Sequence, residues 1–394
     1  MVDDISPLLD FCRSQSDWVR DAVEALVRLE SPSDDKAAVD RCGAELTRRL
    51  VALGAEVTQS PQTTCGDHVR AEWRPTAAET RQRAPILLLG HFDTVWPVGT
   101  LEHMPLHERD GCLHGPGIFD MKAGIAASML AIRALTEFCK ATPHLVMLWT
   151  TDEEIGSGTS RALIEESARA SSAVLVLEPS LPRGAAKTSR KGVGEFALTV
   201  HGVAAHAGLD PEKGVSAVHE LARQVLALEE FQDPDRGITI NVGVIAGGSR
   251  TNVIANQASA QIDVRVQTME DAARLEAAIR GLRPSRPSIR LEVSGGINRP
   301  PLERSGDVVR LYEQAREVAA TLGREVGEGA AGGGSDGNFT GALGVPTLDG
   351  LGPEGDGAHA VHEHVLLDNL SWRGAFLAGL IESLARSSTS AVQR

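Results

Sequence analysis

The sequence predicts an α/β protein: a mostly parallel sheet with helices on both faces, carrying an inserted ferredoxin-like (β-α-β-β-α-β) domain. Three patterns predict it. PILLLG (85–90), HLVMLWT (144–150) and AVLVLEP (173–179) are short continuous apolar runs, which suit strands buried on both faces. KAGIAASMLAIRALTEF, a helix pattern, lies between the first two, and strand–helix–strand order implies parallel pairing. From residue 194 the strand pattern changes to a period of two, the mark of a sheet with one buried face.

Taken in order, SDWVRDAVEALVRL reads as a helix with Ser16 or Asp17 as the expected N-cap. DKAAVDRCGAELTRRLVALG reads as a second helix, stopped by Gly54. After the three apolar strands, GEFALTVHG alternates Phe196, Leu198 and Val200, and GVSAVHELARQVLALEEF follows as a helix. GITINVGVIAG and SAQIDVRVQT alternate again, EDAARLEAAIRGL is helical, and SIRLEVSGG returns to a period of two. This order over about 100 residues is a split β-α-β unit. We expect it to be an inserted domain at 192–301, within a first domain formed by 1–191 and 302–394. Beyond Pro300 and Pro301, SGDVVRLYEQAREVAATLG is helical, EGAAGGGSDGN (328–338) reads as a loop, and GVPTLDGLG reads as a buried strand. DNLSWRGAFLAGLIESLAR closes the chain as a helix with Asp368 as expected N-cap and an apolar stripe of Leu370, Leu377, Leu380, Ile381 and Leu384.

The formal charge is −14 and the pI about 5.4, which speaks against a nucleic-acid groove or an anionic membrane surface as partner. The acidic start, MVDDISPLLDF, does not read as a signal peptide, and no apolar run approaches membrane-spanning length. Five cysteines at scattered spacings contain no CxxC pair. Reduced thiols and a cytoplasmic location are the expectation.

The exits of the apolar runs carry the chemistry. PILLLG leads into HFDTV, placing His91 and Asp93 on one side of an extended backbone. An imidazole with a carboxylate beside it is what a metal site uses, although a loop histidine beside a turn aspartate has the same spelling. GPGIFDMKAG places Asp120 among glycines just before a helix, where it could bridge two cations or simply cap the helix. TTDEEIGS sets Asp152, Glu153 and Glu154 side by side, and Glu178 follows AVLVL directly. His359 follows the last apolar run. Two histidines and three carboxylates, without cysteine, suit two divalent ions such as zinc, cobalt or manganese sharing a carboxylate. Adjacent residues at a strand end point in opposite directions, so Glu154 can bind metal while Glu153 stands off it to take a proton from water. Cations in front of the three acids remove their mutual repulsion.

HFDTV, GPGIFDMKAG, TTDEEIGS, LEPS, GGGSD and GAHAVHE, in this order, resemble the di-zinc metallopeptidase family of aminoacylase, acetylornithine deacetylase, succinyl-diaminopimelate desuccinylase and the glutamate carboxypeptidases, with the glutamate carboxypeptidase (carboxypeptidase G) branch nearest. The resemblance covers nearly the whole chain. It implies that His91 and Glu178 bind one metal, that Glu154 and His359 bind the other, and that Asp120 bridges them with a cis peptide bond after it. Glu153 would be the general base and Asp93 would orient His91. His359 is assigned because Glu363 follows at the family's spacing, with His362 as the alternative, and family members often carry an aromatic residue where His364 stands. The parallel-sheet domain would be catalytic, and the inserted domain a lid and the surface of a homodimer. There His206 would steady an oxyanion, while Asn252, Arg265 and the GGGS loop at Gly333 would hold substrate. Arg190 and Lys191 read as solvated hinge residues.

The expected function is therefore a metal-dependent carboxypeptidase that cleaves an amide bond next to a free carboxylate and releases an amino acid, glutamate by branch. The alternatives are an aminoacylase using the same site and a non-catalytic binding protein on the same fold. The expected partner is a small molecule, not nucleic acid or membrane.

Overall fold

The structure, a computed structural model, describes residues 6–75, 83–139 and 143–391. It divides into two compact units. One is formed by the chain up to Ser189 with Arg304–Ala330 and the chain from Ser335; the other by Arg190–Glu303 with Ala331–Gly334.

The first unit is built on a six-stranded sheet. Its strands are β1 (Glu56–Ser60), β2 (His68–Trp73), β3 (Ile86–His91), β6 (Leu145–Thr150), β7 (Ala173–Val176) and β14 (Thr347–Leu348). The order is β1-β2-β6-β3-β7-β14. The four from β6 to β14 run parallel. β1 and β2 add an antiparallel edge. Every residue of β3 and β6 is buried, as continuous apolar runs require. Alternate residues feed two cores. Leu88, Met147 and Leu175 join the layer containing helices Ala123–Phe138 and Leu367–Ala391. Leu87, Leu89, Val146, Leu148, Val174 and Val176 face Ile164 and Ala168 of helix Arg161–Arg169 and Phe339 of helix Gly337–Ala342. Helices thus cover both faces. Gly124 lets the first of these helices approach the exit of β7: a Cβ there would lie 2.3 Å from the Leu177 carbonyl oxygen.

Two smaller sheets complete this unit. β4 (His107–Arg109), β5 (Cys112–His114), β15 (Gly355–Asp356) and β16 (His364–Leu366) form a four-stranded sheet in the order β15-β16-β5-β4. β8 (Ala186–Arg190) pairs with β13 (Glu328–Ala331).

The second unit has four strands, β9 (Gly192–His201), β10 (Thr239–Gly247), β11 (Gln257–Val266) and β12 (Arg290–Arg299), all antiparallel in the order β10-β11-β9-β12. Helices Ala217–Glu229 and Met269–Arg280 complete the β-α-β-β-α-β order. Phe196, Leu198, Val200, Ile262 and Val264, the alternating set, form its core with Leu221, Leu275 and Ile279 from the helices.

Four local expectations are corrected. Residues 328–331 of the expected glycine-rich loop form strand β13, because β8 offers them a backbone partner. GVPTLDGLG contributes only Thr347–Leu348 as strand. The closing helix begins at Leu367, so Asp368 sits inside its first turn rather than at the cap. The helix Ser16–Arg28 begins behind Gln15, without a side-chain cap. Among the described residues no helix is long and apolar enough to cross a membrane.

Candidate metal centre

Parallel pairing brings the C-terminal ends of β3, β6 and β7 to one edge of the sheet. His91 is the last residue of β3 and is buried. Its Nδ1 lies 3.0 Å from the Asp93 backbone carbonyl, which can only accept, so this nitrogen carries a proton. Nε2 then faces Asp120 Oδ1 at 3.2 Å and Glu178 Oε1 at 3.5 Å. His359 presents the same arrangement from the other side. Its Nε2 lies 3.2 Å from Glu154 Oε2 and 3.5 Å from Asp120 Oδ2. Asp120 thus turns one oxygen to each histidine. The peptide bond from Asp120 to Met121 is cis.

The electrostatics are those of a site built for cations. Burial pushes the His91 pKa down, but its bonds to Asp120, Asp93 and Glu178 outweigh this and hold it well above the ordinary value. Bonds to Asp120 and Glu154 push His359 up to about 10. Burial would raise Asp120, yet the two histidines hold it low. Burial raises Glu154, and its Oε1 is buried without a hydrogen-bond partner among the described residues. His91, Asp120 and Glu154 each offer a ligand atom within 4.8 Å of the others. Nitrogen and carboxylate donors with no thiolate, and an orphaned buried carboxylate oxygen, fit zinc, cobalt or manganese.

The supporting residues are as well defined. Asp93 is fully buried; its carboxylate lies 3.4 Å from His91 Nδ1 and accepts the Ser33 hydroxyl at 2.7 Å. It also accepts the backbone N–H groups of Glu153 at 3.4 Å and Glu154 at 3.3 Å. It therefore ties the exit of β3 to the short helical turn Glu153–Ile155 that follows β6. Asp152 turns away from this edge. Its Oδ2 accepts the Thr159 N–H and hydroxyl at 2.7 and 2.8 Å, fixing the lead into helix Arg161–Arg169. Cys65, His68 and Asp152 form another compact group, but the Thr159 hydroxyl fills it, at 3.2, 3.0 and 2.8 Å from their polar atoms.

Glu363 is the residue that sequence reasoning used only as a spacing mark. Fully buried, it accepts N–H groups from Gly117, Phe119 and Asp120 at 2.9, 2.8 and 3.0 Å, and from Trp96 Nε1 at 2.8 Å. It is the template on which the Asp120 loop is folded. The acid four places after His359 was its only signal. His362 is exposed, and its ring makes no ion pair or hydrogen bond among the described residues. Cys112 is half-exposed.

The remaining sequence candidates lie in the second unit. His206 is exposed, and its Nδ1 accepts the N–H groups of Gly208 and Leu209, both at 3.1 Å. In the neutral ring the proton is therefore on Nε2. The Asn252 carbonyl accepts the Ala207 N–H at 3.0 Å, so Asn252 and the His206 turn are neighbours. Arg265 on β11 is held by Asp263 through two bonds of 2.9 and 2.8 Å. Arg190 is buried rather than a solvated hinge residue, because its Nη1 donates to the Gly333 and Gly334 carbonyls, both at 3.2 Å. A Cβ on Gly333 would meet nothing within 4 Å.

Comparison with known proteins identifies the family and the fold. The model of peptidase family M20/M25/M40 matches residues 87–383. Carboxypeptidase G2 of Pseudomonas sp. (strain RS-16) is 30% identical over 349 residues, covering 86% of this chain and 82% of that one. Succinyl-diaminopimelate desuccinylase of Xanthomonas oryzae pv. oryzae (strain MAFF 311018) is 31% identical over 368 residues, covering 87% and 93%. Among solved structures, aminopeptidase PepT from Bacillus cereus ATCC 10987 superposes with a TM-score of 0.77 at 24% identity, covering 94% of this chain and 99% of that one. The YXEP protein of Bacillus subtilis, described as a dinuclear metal binding peptidase, gives a TM-score of 0.66 at 16% identity, covering 95% and 99%. At these identities the two structures speak to the fold alone.

Proposed function

The chain belongs to peptidase family M20/M25/M40 and is a metallo-hydrolase, and from that premise we propose that it cleaves an amide bond next to a free carboxylate, releasing a C-terminal amino acid from N-acyl amino acids or short peptides. The observation that carries this reading is the pair of imidazoles facing the two oxygens of Asp120, at 3.2 and 3.5 Å. His91 and Glu178 would hold one ion, His359 and Glu154 the other, and Asp120 both. Zinc is the first choice. When bound, the two ions would supply Lewis acidity toward a water and toward the amide carbonyl.

The chain's own residues do the rest. Glu153 takes the proton of the attacking water and returns it to the leaving nitrogen. Its turn is fixed by Asp93, so the base is set when His91 is set. His206 is assigned to steady the negative oxygen that forms on the amide carbon by the family resemblance alone, and the two N–H groups on its Nδ1 leave Nε2 as the donor. Arg265, Asn252 and the backbone at Gly333 hold the substrate carboxylate, an assignment that rests on the family resemblance. Glutamate as the released residue rests on the same ground. A homodimer through the inserted unit is supported by the edge strand β10, which exposes Val244 and Ile245 at 60% and 59%.

The test is amino acid release from N-acetyl, N-benzoyl, N-succinyl and dipeptide substrates by metal-stripped and zinc-reconstituted protein. Zinc-dependent release from one subset supports the reading and names the acyl and side-chain preference. Preference for N-acetyl substrates would make it an aminoacylase on the same site. Zinc binding without release from any substrate would favour a binding protein.

A further inference from the structure

The turn that carries Glu153 and Glu154 is held at both ends by one carboxylate outside the candidate metal centre. Thr150 is the last residue of β6 and the register partner of His91 on β3. Its hydroxyl donates to Asp336 Oδ2 at 3.0 Å. Ser157 lies just beyond the turn Glu153–Ile155, and its hydroxyl donates to Asp336 Oδ1 at 2.5 Å. Asp336 thus gives one oxygen to the strand side of the three acids and the other to the residue that closes their turn. All three side chains are buried.

The backbone between these contacts shows what the clamp holds. Ser157 has a φ of 58°, in the left-handed region. That conformation is costly for a residue with a Cβ and persists only where the surroundings impose it. The Ser157 N–H closes the turn onto the Asp152 carbonyl at 2.7 Å, and the Gly156 N–H onto the Glu153 carbonyl at 3.0 Å. Asp336 is itself rooted. Its carbonyl accepts the Phe339 N–H at 3.1 Å, at the start of helix Gly337–Ala342. The neighbouring Ser335 gives its hydroxyl to the buried Asp349 at 2.6 Å and its N–H to Asn338 Oδ1 at 2.9 Å. Asp93 reaches the middle of the turn through backbone N–H groups, whereas Asp336 holds its two ends through side chains.

We propose that Asp336 is a positioning residue for amide hydrolysis, which keeps the Glu153–Glu154 turn in register with the strand end that carries His91. The inference rests on the hydrolase reading above, in which Glu154 binds metal and Glu153 is the base. A displacement of about 1 Å at such a group costs up to about 100-fold in rate.

The test measures kcat and KM of zinc-loaded Asp336→Ala, and amide exchange of the metal-free variant by mass spectrometry across residues 150–158. We expect kcat to fall about 10- to 100-fold with KM within about twofold of wild type, the scale seen when supports of metal ligands are removed, and exchange across 150–158 to quicken. Asp336→Asn, which keeps the shape and one acceptor oxygen, should recover part of both. Thr340→Val removes a different buried hydroxyl of the same helix, one paired with the Thr347 hydroxyl at 2.8 Å. It should lower the melting temperature and leave kcat and exchange across 150–158 unchanged, which separates positioning from loss of stability. Wild-type kcat in Asp336→Ala, or an equal fall in Thr340→Val, would overturn the proposal. If wild type cleaves no substrate, the hydrolase reading fails by itself. Exchange in the metal-free protein then decides: quickened in Asp336→Ala, it keeps Asp336 as the clamp of the turn, and unchanged, it removes it.

Discussion

Glu363 Oε1 accepts the backbone N–H of Asp120 at 3.0 Å, joining a carboxylate near the end of the chain to the acid that faces both His91 and His359. Burial raises the Glu363 pKa, and the surrounding N–H donors hold the charge against it. Replacing Glu363 by Ala leaves four N–H groups unpaired, two of them in buried and two in part-buried bonds, at about 1–3 kcal/mol for each buried one. We expect Glu363→Ala to weaken zinc binding about 10- to 100-fold, in the range seen when supports of metal ligands are removed. Glu363→Gln, which keeps an acceptor oxygen, should recover part of that loss. Zinc affinity by competition with a chromophoric chelator is the readout, and unchanged affinity in Glu363→Ala would remove Glu363 from its positioning role.

Glu153 reaches the cluster through its backbone, by the N–H that Asp93 accepts. Under the proposed assignment its carboxylate acts as a base and not as a ligand. Glu153→Ala should therefore keep its zinc and lose kcat by about 100- to 10,000-fold, the usual worth of a positioned general base. Steady-state kinetics with metal counting on the same sample checks both halves. Loss of zinc along with activity would make Glu153 a ligand instead.

Arg265 is clamped by Asp263, two residues away on the same face of β11. Under the proposed assignment, a substrate carboxylate would share the guanidinium with Asp263 or displace it. Arg265→Ala should raise KM about 10-fold or more, since hydrogen bonds between charged groups contribute about 1.5–3 kcal/mol. Arg265→Lys should fail to restore it, because lysine lacks the planar fork. Asp263→Ala should leave KM equal or lower. A higher KM in Asp263→Ala would mean that Asp263 aims the arginine rather than competing for it.

Acid sensitivity has a named contributor away from the site. Glu45 pairs with Arg48 and with the buried Arg49, and these bonds lower its pKa from 4.5 to about 2. A carboxyl whose folded pKa lies below its unfolded one stabilises the fold above the unfolded value and loses that contribution as pH falls through the folded one. The stability advantage of wild type over Glu45→Gln should therefore be full above about pH 4.5 and shrink as pH falls toward 2. Thermal melts across that range measure it, and a constant difference would contradict the assignment.

How much could be read beforehand follows from where the signal lay. β3 and β6 are apolar without interruption, so their ends, and with them His91 and Glu154, could be located from sequence. β1 and β2, spelled EVTQS and HVRAEW, carry no such run, and the antiparallel edge was invisible. The small sheet is built from strands of two or three residues, too short for any periodicity, so it had no signal in the chain. Glu363 and Asp93 are buried acids that accept backbone N–H groups, a role that depends on folded neighbours. The Arg265–Asp263 pair was legible in principle, since IDVRV places both on one face of a strand.

The most direct measurement is a stoichiometric zinc titration of metal-stripped protein, following amino acid release from the best substrate of the panel. Release should be absent at the start, rise with added zinc and reach its plateau at two equivalents, with His91→Ala and His359→Ala each failing to reach it. Full activity at one equivalent, or release that persists in stripped protein, would contradict a dinuclear centre shared through Asp120.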